Sequence, residues 1–195
     1  MAKQINIMDK KYLFQSERLG FRNWIATDLD KMAAISANEE VMRFFPKTKT
    51  KAETASFIEK MQAEYEKSGF CYFAVEILKS GEMIGFIGIS AQDYECEFTP
   101  FIDIGWRLAQ HTWNNGYATE GAKRCLKYAF ETLDLNEIYA VAPVPNKKSE
   151  RIMQKIGMEK LATFTHPLLL DDDRLKMCVL YCCLLYTSPS PRDHQ

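Results

Sequence analysis

The sequence predicts one α/β domain, of the α+β kind, with about six to seven strands and about four helices. Three observations carry this. Seven short segments have strand patterning and four longer ones have the three-and-four spacing of a helical face, interleaved along the chain. One pair of strand segments is separated by only three residues and reads as a hairpin. The 195 residues, 47% hydrophobic and 26% charged, suit one ordinary globular core.

In chain order, Leu19, Phe21 and Trp24 against Arg22 and Asn23 give a half-buried strand. Thr27-Asp28-Leu29-Asp30 opens a helix to about Asn38, with Thr27 expected to accept an orphan N–H and the aspartates favouring the positive end. Thr50-Lys51-Ala52-Glu53 is a capping box, followed by Ala55, Ile58, Met61 and Tyr65 on one face until Ser68-Gly69. Phe70–Leu78 and Glu82–Ser90 form the hairpin around Lys79-Ser80-Gly81. Ala91–Pro100 is polar and irregular, and Phe101–Leu108 is the next strand. Ala118, Ala122, Cys125, Leu126, Ala129, Phe130 and Leu133 mark the clearest helix. Glu137–Ala142 is a strand stopped by Pro143 and Pro145. Asn146 caps a helix to Ile156 that Gly157 ends, and strands over Met158–Thr165 and Leu175–Cys182 complete the domain.

No repeat or linker interrupts residues 12–182, which are expected to form the domain. Residues 1–11 are expected to be a flexible N-terminus. Residues 183–195, with Tyr186-Thr187-Ser188-Pro189-Ser190-Pro191-Arg192, resemble a translated sequencing adapter and are expected to be a non-native tail outside the fold.

A net charge of −1 with scattered lysines and arginines argues against nucleic acid or an anionic membrane surface as a partner. No apolar run approaches the roughly 18–20 residues of a membrane span, and the N-terminus lacks an export signal. The six cysteines form no CxxC pair and lie far from the three histidines, so no metal is expected. Thiols of this kind suit a reducing cytoplasm.

The chemistry concentrates where the strand ending at Leu108 turns through Gln110–Asn115 into the strong helix. A helix N-terminus there offers unsatisfied N–H groups and roughly half a positive charge, an anion site made from backbone. Gly116 lets the backbone approach a diphosphate, Ala118 keeps the wall low and Thr119 adds a hydroxyl. The G-x-x-x-x-G-K-[ST] phosphate loop is absent, as is an early G-x-G-x-x-G dinucleotide fingerprint.

Gly116-Tyr117-Ala118-Thr119-Glu120 resembles the pyrophosphate signature Q/R-x-x-G-x-G/A of the GNAT acetyltransferase superfamily, in the form seen in its ribosomal-protein-alanine N-acetyltransferase branch. Trp113 stands where that branch carries an aromatic residue, and Asn115 replaces its usual basic residue or glutamine. Ser16-Glu17-Arg18-Leu19, Glu40–Pro46, Gly85–Gly88, Ile104–Leu108 and Asn146–Arg151 extend the resemblance over most of residues 12–182.

The resemblance implies a mixed, mostly antiparallel sheet whose fourth and fifth strands splay around acetyl-CoA as co-substrate, without a metal. It implies transfer of the acetyl group to a primary amine, on a protein N-terminus or a small molecule, by a monomer or homodimer. Asn114, Asn115, Gly116, Tyr117, Ala118 and Thr119 would then hold the diphosphate. One backbone N–H of Trp106, Arg107 or Leu108 would polarise the thioester carbonyl. Asn146 would meet the CoA arm, and Arg151 with Lys148 the adenosine phosphates. Asp103, where relatives carry Glu, becomes the candidate base, with Glu17, Glu95 or Glu97 as substitutes, and Ser149 the candidate donor to the leaving thiolate. Phe44, Phe45 and Tyr72 are candidates for the acceptor pocket. The rival reading is a catalytically inert CoA-binding sensor or scaffold, which would keep the Gly116 loop without needing Asp103 or Ser149.

Overall fold

The structure, a computed structural model, describes residues 11–185. Residues 1–10 and 186–195, on which most of the expected flexible N-terminus and adapter-like tail fall, lie outside the described residues.

Eight strands form one sheet: β1 Phe14–Gln15, β2 Leu19–Arg22, β3 Tyr72–Ile77, β4 Glu82–Gln92, β5 Phe101–Leu108, β6 Glu137–Pro143, β7 Glu159–Thr165 and β8 Met177–Leu184. Their order is β1-β2-β3-β4-β5-β6-β8-β7. Four helices flank it: α1 Asp28–Ala37, α2 Lys51–Ser68, α3 Tyr117–Glu131 and α4 Lys147–Lys155. The sheet has one strand more than the six to seven expected, because the two-residue β1 is too short to show a period in sequence. The final strand starts two residues later than predicted and continues through Cys183 and Leu184, opposite Ile138 and Glu137.

β1 through β5 pair antiparallel, as do β6, β8 and β7. The exception sits at the centre: β5 and β6 run parallel and share a single registered pair, Asp103 opposite Tyr139. β4 and β5, by contrast, are registered over all eight residues of β5. The sheet therefore parts between β5 and β6, the fourth and fifth strands when β1 is left out.

Successive strand residues face opposite sides, and each side is covered. Ile87 on β4 points towards α3, where a Cβ added to Gly121 would lie 2.3 Å from its Cδ1. The missing side chain at Gly121 is what lets the helix lie this close to the sheet. Phe86, one residue earlier, points the other way and packs on Phe57 of α2, with ring centroids 5.3 Å apart. A core of Leu19, Phe21, Phe73, Ile87, Ala122 and Ala129 fills the α3 side.

The local signals for α2 work as read. Thr50 Oγ1 accepts from Glu53 N, Glu53 returns the bond to Thr50 N, and Gly69 closes the helix at φ 76°. Asn146 caps α4 by accepting from Ser149 N, and Gly157 follows it at φ 86°. Thr27 differs from expectation, because its side chain makes no capping bond. The carboxylate of Asp28 accepts from Ile25 N instead and pairs with Arg22.

Candidate active site

The parting of the sheet opens a cavity of about 920 Å³. β5 supplies one wall with Asp103 through Leu108, and β6 with the turn after it supplies the opposite wall from Val141 to Asn146. The start of α3 closes one end, and Phe44, Phe45 and Phe57 lie across the α1–α2 side.

Gly116 is the N-cap of α3 at φ 80°, and Asn114 two residues earlier is also left-handed at φ 63°. This double reversal turns the chain out of β5 and directs the first N–H groups of α3 at the cavity, an anion-binding arrangement. The turn is tied down on several sides. Trp113 Nε1 donates to Leu108 O at 2.9 Å, and Asn115 Nδ2 donates to the carbonyls of Thr112 and Trp113. Glu120, in the first turn of α3, accepts from Ser16 Oγ at 2.7 Å, Arg18 N at 2.8 Å and Arg18 Nε at 2.6 Å. Arg18 Nη1 donates in turn to Asn115 O at 3.0 Å, and its guanidinium lies over the Tyr117 ring. Burial pushes the Glu120 carboxyl up, but the hydrogen bonds from the Ser16 hydroxyl and from the backbone and side chain of Arg18, with the Arg18 charge, hold it below its usual range. Its charge is thus offset beside a site suited to anions.

Asp103 stands on the β5 face that also carries Gly105 and Arg107. Its Oδ1 accepts from Tyr72 Oη at 2.5 Å and from Gln92 Nε2 at 3.1 Å. Burial raises the carboxyl to about 7 while both hydrogen bonds pull down. A carboxyl at that value exchanges protons near neutral pH, which suits acid–base work. Tyr72 is pushed well above its ordinary range by burial and by Asp103, so it is a phenol that donates. Ser149 lines the β6 side, and its hydroxyl makes no hydrogen bond to the described residues.

Of the residues singled out in sequence, Asp103, Trp106, Arg107, Leu108, Asn114, Gly116, Tyr117, Ala118, Thr119, Asn146, Ser149 and Arg151 all line this cavity. Asn115 does not: its side chain folds back onto its own turn. The substitute bases Glu17, Glu95 and Glu97 are also outside it. Phe44, Phe45 and Tyr72 line it together with Phe57 and Phe86, which sequence reasoning missed. Their only sequence signal is aromatic character in segments that read equally well as core. His111 is on the surface, bonded to Glu82 at 2.7 Å. Among the described residues no cluster of His, Cys, Asp or Glu could hold a metal ion, and no helix is long and apolar enough to cross a membrane.

A helix N-terminus aimed into a sheet split between two parallel strands is an architecture shared with solved acetyltransferases. The acetyltransferase (GNAT family) from Bacillus anthracis superposes with a TM-score of 0.74 at 26% identity, covering 88% of this chain and 98% of that one. The spermidine N-acetyltransferase from Vibrio cholerae, solved with CoA and spermine, gives 0.70 over 87% and 97% of the two chains at 19% identity, a likeness of fold. The sequence itself matches the Acetyltransferase (GNAT) domain over residues 18–159, more than half its length, so the chain belongs to the GNAT acetyltransferase family. It is an acyltransferase, and the usual acetyl donor of its family is acetyl-CoA. Among curated relatives, the Bacillus subtilis protein YkkB is 29% identical over 152 residues, 77% of this chain and 87% of its own. The N-acetyltransferase YoaA of the same organism is 27% identical over 150 residues, 76% and 83% of the two.

Proposed function

We propose that this chain transfers the acetyl group of acetyl-CoA to a primary amine, on a protein N-terminus or a small molecule, by direct attack within a ternary complex. The observation that carries the reading is one continuous cavity running from the N–H groups of α3, past Ser149, to the carboxyl of Asp103. The family supports the donor. A Bacillus subtilis relative described as a ribosomal N-acetyltransferase, 30% identical over 81 residues, supports the ribosomal-protein branch only across 42% of this chain.

The donor supplies an activated acetyl thioester. In this reading Asn114 and Gly116–Thr119 hold its diphosphate through backbone N–H groups, with Asn146 beside the arm and Arg151 and Lys148 towards the adenosine phosphates. A backbone N–H among Trp106–Leu108 donates to the acetyl oxygen, where charge develops. An α-amine, with an unperturbed value near 8, is partly neutral at pH 7, and Asp103 accepts its surplus proton directly or through water. The Ser149 hydroxyl donates to the departing sulfur. The reaction takes place in a cytoplasmic protein, monomeric or homodimeric.

Thiol release from acetyl-CoA in the presence of a panel of amines and peptides tests this. Asp103→Ala and Ser149→Ala should each lower turnover about a hundredfold or more, the usual scale of proton-transfer groups, while CoA still binds. Saturable CoA binding with no amine-dependent thiol release across the panel would overturn the reading.

A further inference from the structure

Arg107 is used above only through its backbone, yet its side chain is the unexplained charge of the cavity. The chain's other enclosed arginine shows what a settled one looks like. Arg22, 6% exposed, donates to Asp28 at 2.7 and 2.8 Å and to Glu76 at 2.7 Å. Arg107 has no carboxylate partner among the described residues. Its single hydrogen bond is from Nη1 to Ser36 Oγ at 3.3 Å, and Nε is buried with no acceptor. Nη2 makes no hydrogen bond either, but it keeps accessible surface on a residue that lines the cavity.

The guanidinium is nevertheless held in place. Its centre is 4.3 Å from the Phe45 ring centroid and 5.3 Å from that of Phe86. Two rings fix the plane of the cation without neutralising it. Burial draws the group down to about 10. Asp103, four residues away on the same face, is committed to Tyr72 and Gln92. A desolvated cation without an anion is costly, and it is normally balanced by a partner. No such partner is present among the described residues, and the group lines the cavity beside Phe45 and Phe86.

We propose that Arg107 is a specificity residue that receives an anionic group of the acceptor, so that the preferred acceptor is a primary amine that also carries a carboxylate, such as an amino acid or an acidic peptide. Guanidinium and carboxylate match in shape and charge. A polyamine would bring more positive charge against Arg107. The proposal rests on the amine-acetylation reading for its kinetic test and adds a binding test that does not.

Thiol release should be compared for β-alanine, L-aspartate and L-glutamate against their amides and against spermidine. The carboxylates should be preferred about tenfold or more in kcat/KM. Arg107→Met should lower the carboxylate-to-amide ratio about ten- to a hundredfold, the loss of one charge-assisted hydrogen bond, mainly through KM. Arg107→Lys should recover only part of that ratio, and both variants should melt near or above the parent temperature. Equal use of acids and amides, or a ratio unmoved by Arg107→Met, would overturn the proposal. So would variants that melt well below the parent, since Arg107 would then be holding the fold together. Calorimetric titration of L-glutamate into the protein–CoA complex separates the two readings. Binding that Arg107→Met abolishes, without any turnover of amines, would reject the acetylation reading and retain the anion site; no binding and no carboxylate preference would reject the site.

Discussion

Asp103 and Tyr72 lie 31 residues apart in sequence and 2.5 Å apart in space, and their contact sets the acid–base behaviour of the cavity. Because burial lifts Asp103 to about 7, kcat/KM should fall as pH drops through that region and the base becomes protonated. Asp103→Asn should remove this acidic limb together with most of the turnover. Stability moves in the opposite sense. Between about pH 4 and 7 the folded chain keeps a proton that the unfolded chain releases, so this group costs stability as pH rises. Asp103→Asn should therefore raise the melting temperature most at pH 8, with the gain vanishing towards pH 4. Tyr72→Phe removes a hydrogen bond that favours the carboxylate. The acidic limb should then shift to higher pH; a profile that stayed put would mean Tyr72 does not tune the base. The family resemblance could nominate Asp103, where relatives carry Glu, but its phenol partner belongs to a different strand, and no local pattern links the two.

At the scale of elements, the turn into α3 was the most legible part of the site. The sequence marked Gly116 as the residue that opens the helix and lets the backbone approach an anion, and the structure adds that it does so in the left-handed region, at φ 80°. Space is not the obstacle there, since an added Cβ would come no closer than 3.5 Å to Arg18 Nη2. The backbone is. Gly116→Ala should cost about 1–2 kcal/mol for a left-handed L-residue, or several degrees in melting temperature. It should also raise KM for acetyl-CoA more than it lowers kcat. Acetyl-CoA titrations and a thermal melt of the same variant check both. The capping box of α2 was equally readable, because its residues are three apart and bond each other. Thr27 shows the limit of such reading. It has the right residue type for a cap, but the long-range demand of Arg22 for a carboxylate draws Asp28 inward and settles the start of α1 differently.

Across the whole molecule, β2, α1 and β3 meet at the buried Arg22–Asp28–Glu76 group, with Lys11 and Tyr12 adding contacts to Glu76. Removing the cation would leave two carboxylates enclosed, so Arg22→Met should destabilise the fold by about 3–5 kcal/mol. Chemical denaturation of the variant measures this, and a loss under 1 kcal/mol would show that water compensates the pair. The sequence by itself determined the succession of strands and helices and the glycine-opened turn, because periodicity, caps and turn residues act over a few neighbours, while Asp103 and Ser149 were candidates only through the family resemblance. The two-residue β1, the aromatic cover of Phe57 and Phe86 and the unpaired charge of Arg107 were decided only in three dimensions. Each depends on which distant segment packs opposite, and for Arg107 on the absence of a carboxylate partner among the described residues, which no stretch of sequence could reveal.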